Sequence, residues 1–280
     1  MTSSYQMKRT KAHAFSMVDE INIMREEYNL EENVFGSDNY LCHYTSFASL
    51  CSILSTMTLK VSSFANSNDI GELESNISCI LDNNKVKEVE SYVENHCGYI
   101  SFSMNKEADT PYTNPKYGYL IPSLWGIYAD KSQGVCIVID EKSLIEENKD
   151  ALSHANWNKL IDVSYTRFQS SKLASSKDSP EEIVHSYSQH ILGTKHSSWS
   201  HEQERRFIGA DLPQTLSLKN GVIRGVVIGK RVSSQQKKQL LLTLNNPHLA
   251  CYNQLENSLF VRQEILGGNI FTTELGTYFS

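Results

Sequence analysis

The stretch YLCHYTSFASLCSILSTMTL, from Tyr40 to Leu59, constrains the fold of this chain more than any other. Tyr40-Leu41-Cys42 is a short apolar and aromatic run and predicts the end of a strand. Phe47, Leu50, Ile53, Leu54 and Met57 then recur at helical spacing. Ser46 stands at the N-cap position, where a hydroxyl accepts from the free amides of the first turn. Leu59-Lys60-Val61 predicts a second strand. This order places His43, Tyr44 and Thr45 in a polar turn between strand and helix, with one imidazole and one phenol at the mouth of a cleft. The amides at the helix start lie beside them and suit an anion or a carboxamide.

The same reasoning carries along the chain. Residues 14–31 predict a partly amphipathic outer helix, after a loosely attached first dozen residues. A helix is predicted from Gly71 to Asn83, with Glu72 and Glu74 near its start, where the helix dipole favours acids. Lys85 to Asn95 is a charged helix or loop. Tyr99 to Ser103 alternates as a strand, and Asn105 to Gly118, with two prolines, predicts a long loop. Val135-Cys136-Ile137-Val138-Ile139 is the strongest buried-strand signal in the sequence. Further strands are predicted at Leu160–Tyr165, Val222–Ile228, Leu259–Val261 and Asn269–Thr273, and helices after Asp140, Pro180 and Ser233.

Composition narrows the class. With 280 residues, 40% apolar and 21% charged, the chain has enough material for one sizeable core. No run of about 18 apolar residues suggests a membrane span, and MTSSYQMKRTKAHAF lacks the apolar core of a secretory signal. The six cysteines form no CxxC pair and read as reduced thiols of a cytoplasmic protein rather than zinc ligands. A net charge of −6 argues against a broad, sequence-independent grip on nucleic acid. No Walker loop, GxGxxG, GxSxG or HExxH is present.

Two places carry candidate chemistry. His43 is either a ligand-binding residue or a satisfied turn histidine. Glu202 and Glu204, in the segment WSHEQERRF, would point to one face if that segment is extended. They are either a pair that stabilises a developing cation or an exposed pair neutralised by Arg205 and Arg206. Tyr117, Tyr119, Trp125 and Tyr128 form either a stacking wall or part of the core. Lys230 and Arg231 before Ser233 read as a solvated loop.

The ordered set HYTS, TLKVSS, SNDIGE, YISFS, LWGIYADKSQGVCIVID, WSHEQERRF and VVIGKRVS, between about Tyr40 and Leu242, resembles the domain-of-unknown-function 2971 family. Asn68, Asp69 and Glu72 match its polar turn followed by an acid, and Trp125, Tyr128 and Ala129 match its Trp-x-x-Tyr-Ala segment. The opening His-Tyr-Thr also looks like that of DarT-type ADP-ribosyltransferases. The resemblance implies an α+β fold with a mixed, split ADP-ribosyltransferase-like β-sheet core flanked by helices; with the strands predicted after it, this is expected to be one domain, 38–280, and the helix predicted before it an N-terminal helical extension, 1–37. It implies an enzyme that transfers ADP-ribose from NAD to nucleic acid or protein, as a bacterial toxin or anti-phage effector, with an antitoxin or regulatory protein as a further partner. Glu204 would be the catalytic glutamate, with Glu202 orienting the acceptor. His43, Tyr44, Thr45, Ser46, Ser63, Asn68, Tyr128 and Arg206 would bind NAD, His43 through a ribose hydroxyl and Thr45 beside the carboxamide. Tyr44, Tyr119 and Tyr128 compete for the ring that stacks on nicotinamide. The alternatives are an NAD glycohydrolase, or a non-catalytic module that binds a nucleotide or a protein.

Overall fold

The computed structural model describes residues 35, 39–67, 69, 71–81, 83–106, 117–153, 158–166, 174, 177–211, 213–252, 254–255, 258–266 and 269–274. The predicted helix at 14–31, Asn68, and most of the predicted loop at 105–118 lie outside these residues.

In chain order the elements begin with β1 (Tyr40–Thr45), α1 (Phe47–Thr56), β2 (Thr58–Lys60), β3 (Ser62–Ser63), α2 (Glu72–Ser78), α3 (Asn83–His96) and β4 (Cys97–Met104). There follow α4 (Pro122–Ile127), β5 (Val135–Asp140), α5 (Glu141–Glu147), α6 (Lys149–Ser153), β6 (Lys159–Asp162), β7 (Ser164–Thr166), α7 (Pro180–Leu192) and β8 (Thr194–His196). A 3₁₀ turn, Ser197–Glu202, leads into β9 (Glu204–Ala210). The described residues close with β10 (Thr215–Ser217), β11 (Ile223–Ile228), α8 (Ser234–Leu244), β12 (Leu259–Leu266) and β13 (Asn269–Glu274). The protein is α+β, as its sequence predicts.

The central sheet is mixed. Its strands run in the order β13-β12-β11-β5-β1-β4-β9-β6, antiparallel throughout except for the parallel pair β11 and β12. Every residue of β5 except Asp140 is buried, in keeping with its unbroken apolar run. One face packs Leu41, Ile100, Phe102, Ile137 and Phe207 against Leu50 and Leu54 of α1, Leu144 of α5 and Leu240 of α8. At one end of the opposite face, α2, α3 and α7 cover Cys97, Ile208 and Ala210. At the other end an aromatic group with Phe35, Tyr119 and Trp125 covers Cys42, Cys136 and Val138. Fully burying one such aliphatic or aromatic side chain contributes about 1.5–3 kcal/mol.

The sheet splits in its middle. β1 and β4 are joined through only two residue pairs, Leu41 with Met104 and Cys42 with Ser103. Beyond Cys42 the strands part, and β3 takes over the same edge of β4, pairing Ser62 with Tyr99 and Ser63 with Gly98. β1 stays fully paired with β5 on its other side, from Tyr40 to Thr45. His43, Tyr44 and Thr45 are therefore strand residues, where the sequence predicts a turn. Tertiary pairing with the buried β5 holds them extended despite their polarity.

Two capping signals, at Ser46 and Ser233, fall where the sequence places them, and Asp140, the end of a predicted strand, adds a third. Ser46 accepts from the Ser49 amide, Asp140 from Ser143, and Ser233 from Gln236 within a full capping box. The segment Leu59-Lys60-Val61 yields the short β2, which pairs with β10 outside the central sheet. The predicted helix Gly71–Asn83 is shorter, ending at Ser78, and the charged stretch after it is the helix α3. Trp125 sits in α4, opened by Pro122 at its first turn.

The backbone at the start of β5 is held close on two sides. A Cβ on Gly134 would meet the carbonyl oxygen of Thr45 and, at 2.9 Å, that of Ala129. Gly134→Ala is expected to destabilise the fold by about 1–3 kcal/mol, the usual cost of overpacking. A urea titration with an unchanged slope and a lower midpoint is the measurement that checks it.

Candidate active site at the split in the sheet

The cleft opens where β1 leaves β4 and has a volume of about 260 Å³. Cys42, Tyr44, Leu124 and Tyr128 line one side, and Tyr99, Ser101, Lys195, Glu202, Glu204 and Arg206 the other, with His43 in the gap. Strand alternation explains the second group. Ser101 and Ser103 of β4 lie opposite Arg206 and Glu204 of β9, so these four share one face.

The charged side chains form one connected network. Arg206 is 1% exposed. Its Nε donates to Glu204 Oε1 at 2.6 Å, and its Nη1 donates to Glu72 Oε1 at 2.5 Å and to the Leu192 carbonyl at 2.8 Å. Glu72 comes from the first turn of α2, so the ion pair ties that helix to the sheet. Lys195 Nζ lies 2.7 Å from Glu202 Oε2 and 2.8 Å from Glu204 Oε2. Ser101 Oγ donates to Glu204 Oε1 at 2.5 Å, and the Tyr128 hydroxyl donates to Glu202 Oε1 at 2.7 Å. The Glu204 amide donates to the Tyr165 hydroxyl at 2.7 Å.

Burial alone would raise the Glu204 carboxyl, but Arg206 and Lys195 outweigh it and hold the group down at about 2. Burial alone would lower the Lys195 ammonium; the carboxylates Glu204 and Glu202 overcome it and raise the group instead. The Arg206 guanidinium is raised as well, burial again being outweighed, by Glu204 and Glu72. These groups are thus fixed in their charged forms at neutral pH.

His43 behaves differently. Burial lowers its value, against a smaller upward effect of its hydrogen bond to Ser101. The ring is therefore neutral at pH 7. Its Nδ1 lies 3.1 Å from the Ser101 carbonyl oxygen, which only accepts, so Nδ1 carries the proton. Nε2 is left as a hydrogen-bond acceptor. The split creates this contact, because the Ser101 carbonyl lies on β4 just past the last residue paired with β1.

Of the residues singled out in the sequence, His43, Tyr44, Tyr128, Glu202, Glu204 and Arg206 meet at this cleft. Thr45 and Ser63 line a larger adjoining trough of about 1050 Å³, which shares His43, Lys60 and Ser62 with the cleft. Ser63 Oγ donates to the Glu94 carbonyl there. The Ser46 hydroxyl caps α1, bonded to the Ser49 amide and hydroxyl. Asn66 and Ser67 reach the cleft from the turn before Asn68. Tyr119 is fully buried in the aromatic core, whereas Tyr44, Tyr99 and Tyr128 line the cleft.

Glu202 and Glu204 do converge, though not by strand alternation. Glu202 ends the 3₁₀ turn, Gln203 adopts a left-handed conformation at φ 49°, and Glu204 opens β9. Nor is the pair exposed: both are buried, and Arg206 is buried with them. Arg205 points the other way, to Glu141 at 2.7 Å and Asp162 at 3.2 Å. Sequence reasoning missed Lys195 and Ser101, and treated Glu72 as a helix-start acid rather than an ion-pair partner. The pattern YISFS opposite EQERRF held the signal for Ser101, since polar residues at alternate positions of a central strand need partners.

The fold and site define an α+β protein with a buried acid–base network at the split of a mixed sheet. Residues 124–207 match the model of a family described as Protein of unknown function (DUF2971). The resemblance to the domain-of-unknown-function 2971 family holds over that stretch, which contains Trp125, Tyr128, Lys195, Glu202 and Glu204. No curated protein and no solved structure matches the chain. Among the described residues no helix is long and apolar enough to cross a membrane, and no three His, Cys, Asp or Glu side chains group to hold a metal ion.

Two outcomes are expected of the network. Arg206→Met leaves Glu72 and Glu204 buried without their shared cation, and should cost about 3–5 kcal/mol in urea unfolding. Glu204 ionises at about 2 in the folded chain, below its ordinary 4.5. Its contribution is therefore complete above about pH 4.5 and lost as pH falls toward 2. Its size is on the order of 3 kcal/mol. Unfolding free energies across that range should decline more gently in Glu204→Gln than in wild type.

Proposed function

We propose that the chain transfers ADP-ribose from NAD to a macromolecular acceptor, protein or nucleic acid, at the split of the sheet. One observation carries this reading. Two buried carboxylates, Glu202 and Glu204, flank a single ammonium in a cleft that also presents the neutral acceptor Nε2 of His43. Loss of nicotinamide from NAD leaves an oxocarbenium-like centre at the ribose. A fixed carboxylate in a low-dielectric site stabilises such a centre without reorganising. Glu72, Glu202 and Glu204 outnumber Lys195 and Arg206 by one charge, so the network as a whole favours a cation.

In this reading Nε2 of His43 accepts from a ribose hydroxyl, and Glu204 faces the ribose carbon that loses nicotinamide. Tyr44, Tyr99 and Tyr128 supply aromatic faces for the nicotinamide ring. Glu202, held by Tyr128 and Lys195, takes the acceptor side. The cleft of about 260 Å³ is smaller than the usual range for a whole drug-sized ligand. It suits the nicotinamide ribose alone, and the adjoining trough offers room for the remainder. The net charge of −6 favours local rather than extended contact with a nucleic-acid acceptor.

A second reading, a non-catalytic nucleotide-binding module, is favoured by the occupancy of Glu204. Its Oε1 accepts from Ser101 and Arg206, and its Oε2 from Lys195 and Arg206. All its lone-pair positions are thereby engaged.

The test is incubation with NAD labelled in the adenylate half, together with cell lysate. Label is expected to enter a macromolecule, and Glu204→Gln to lower its incorporation by roughly 10²–10³-fold. Free labelled ADP-ribose as the sole product assigns an NAD glycohydrolase instead. Binding of NAD without turnover by wild type, matched by Glu204→Gln, leaves the non-catalytic module.

A further inference from the structure

We propose that Lys195 is the positioning residue of this site: its ammonium holds Glu202 and Glu204 together as a doubly ionised pair facing the cleft. The proposal rests on the transferase reading for its consequence in turnover, and on geometry alone for the clamp itself. Lys195 Nζ is within 2.8 Å of both carboxylates, and its side chain is 8% exposed, against 5% and 4% for theirs. Both acids therefore lie within a few ångströms of each other with little water between them. Two like charges so placed do not both stay ionised unless a cation separates them.

Lys195 is built into that position. It belongs to the short β8, whose pairing with β7 sets Lys195 beside Tyr165. The Trp199 ring lies 5.4 Å from Nζ and closes a further side of the ammonium. The whole clamp (cation, ring and both acids) comes from one ten-residue stretch, Lys195 to Glu204. It is folded back on itself by the 3₁₀ turn and the left-handed Gln203.

Other charged or titratable groups face the pair. Arg206 binds Glu204 but makes no ion pair with Glu202. Glu72 takes the far side of Arg206. Tyr128 donates to Glu202, and Tyr165 accepts from the Glu204 amide. Tyr99, Lys60 and His43 line the same cleft. Lys195 is the one cation among these groups that bridges both acids, so its removal falls first on Glu202. The pair then takes up a proton at a pH where wild type holds none, and with it the site loses negative charge that stabilises the oxocarbenium-like centre left by nicotinamide.

The experiment compares wild type, Lys195→Met, Lys195→Arg and the charge-compensated double variant Lys195→Met/Glu202→Gln. Carbon-13 labelled glutamate carboxyls report protonation directly, without reference to activity. In wild type the pair should show no proton uptake between about pH 6 and 8. In Lys195→Met its first uptake should rise by about one to three units, with the acid limb of NAD turnover moving by the same amount. Lys195→Arg should restore both toward wild type, and the double variant should show no carboxyl titrating in that range. Superimposable titrations of wild type and Lys195→Met overturn the proposal. So does proton uptake by the pair above about pH 6 in wild type, a result that stands even if Lys195→Met does not fold. Absence of NAD turnover by wild type sinks the transferase reading alone, because the carboxyl titration still decides the role of Lys195.

Discussion

The buried guanidinium of Arg206 is the interaction on which the rest of this structure depends. It joins the first turn of α2 through Glu72, the end of α7 through the Leu192 carbonyl, and the start of β9 through Glu204. The rings of Tyr99 and Phe64 lie 5.2 and 5.9 Å from its central carbon. A charge so far from water is tolerated only when it is paired and its donors are used. The planar fork of arginine meets both demands where a lysine would not. Two of the helices on that face, α2 and α7, are therefore placed by a polar requirement as well as by their apolar sides.

That requirement meets a second one at the split. A mixed sheet whose central strands stay fully paired has no room for a ligand between them. Here β1 and β4 share two residue pairs and then separate, while β5 and β9 keep each of them straight on its outer edge. The parting leaves backbone groups of β4 in need of partners; β3 satisfies Tyr99 and Gly98, and His43 satisfies the Ser101 carbonyl. The histidine thereby has one nitrogen committed and one available. Its proton state follows from the fold rather than from a neighbouring acid.

The consequence for chemistry is preorganisation. Glu204 is held by serine, lysine and arginine together, and Glu202 by tyrosine and lysine. Neither acid is free to swing. Fixed charges of this kind do their electrostatic work without the reorganisation that water would require. They also bind the site to the stability of the fold, since the groups that would act on a substrate are the groups that hold α2 and β8 in place.

The sequence by itself determined the elements. The unbroken apolar run at 135–139 made a buried strand, the helical spacing after Ser46 made α1, and Ser46, Asp140 and Ser233 started helices as their side chains dictate. These are local effects of burial period and backbone hydrogen bonding, so they are written in neighbouring residues. His43, Glu202 and Glu204 stood out as candidates for the same reason: each is a reactive group beside a predicted strand. Only the tertiary structure decided their partners. Glu72 meets Arg206 across 134 positions, and Ser101 meets Glu204 across 103. The strand register that joins them is set by the whole sheet. The two acids share one cleft, as extended alternation would also have placed them, but Glu202 arrives there through the left-handed turn at Gln203, held by Lys195 and Tyr128. A pattern of neighbours records which residues avoid water; which distant charge one of them will meet is settled when the strands pair.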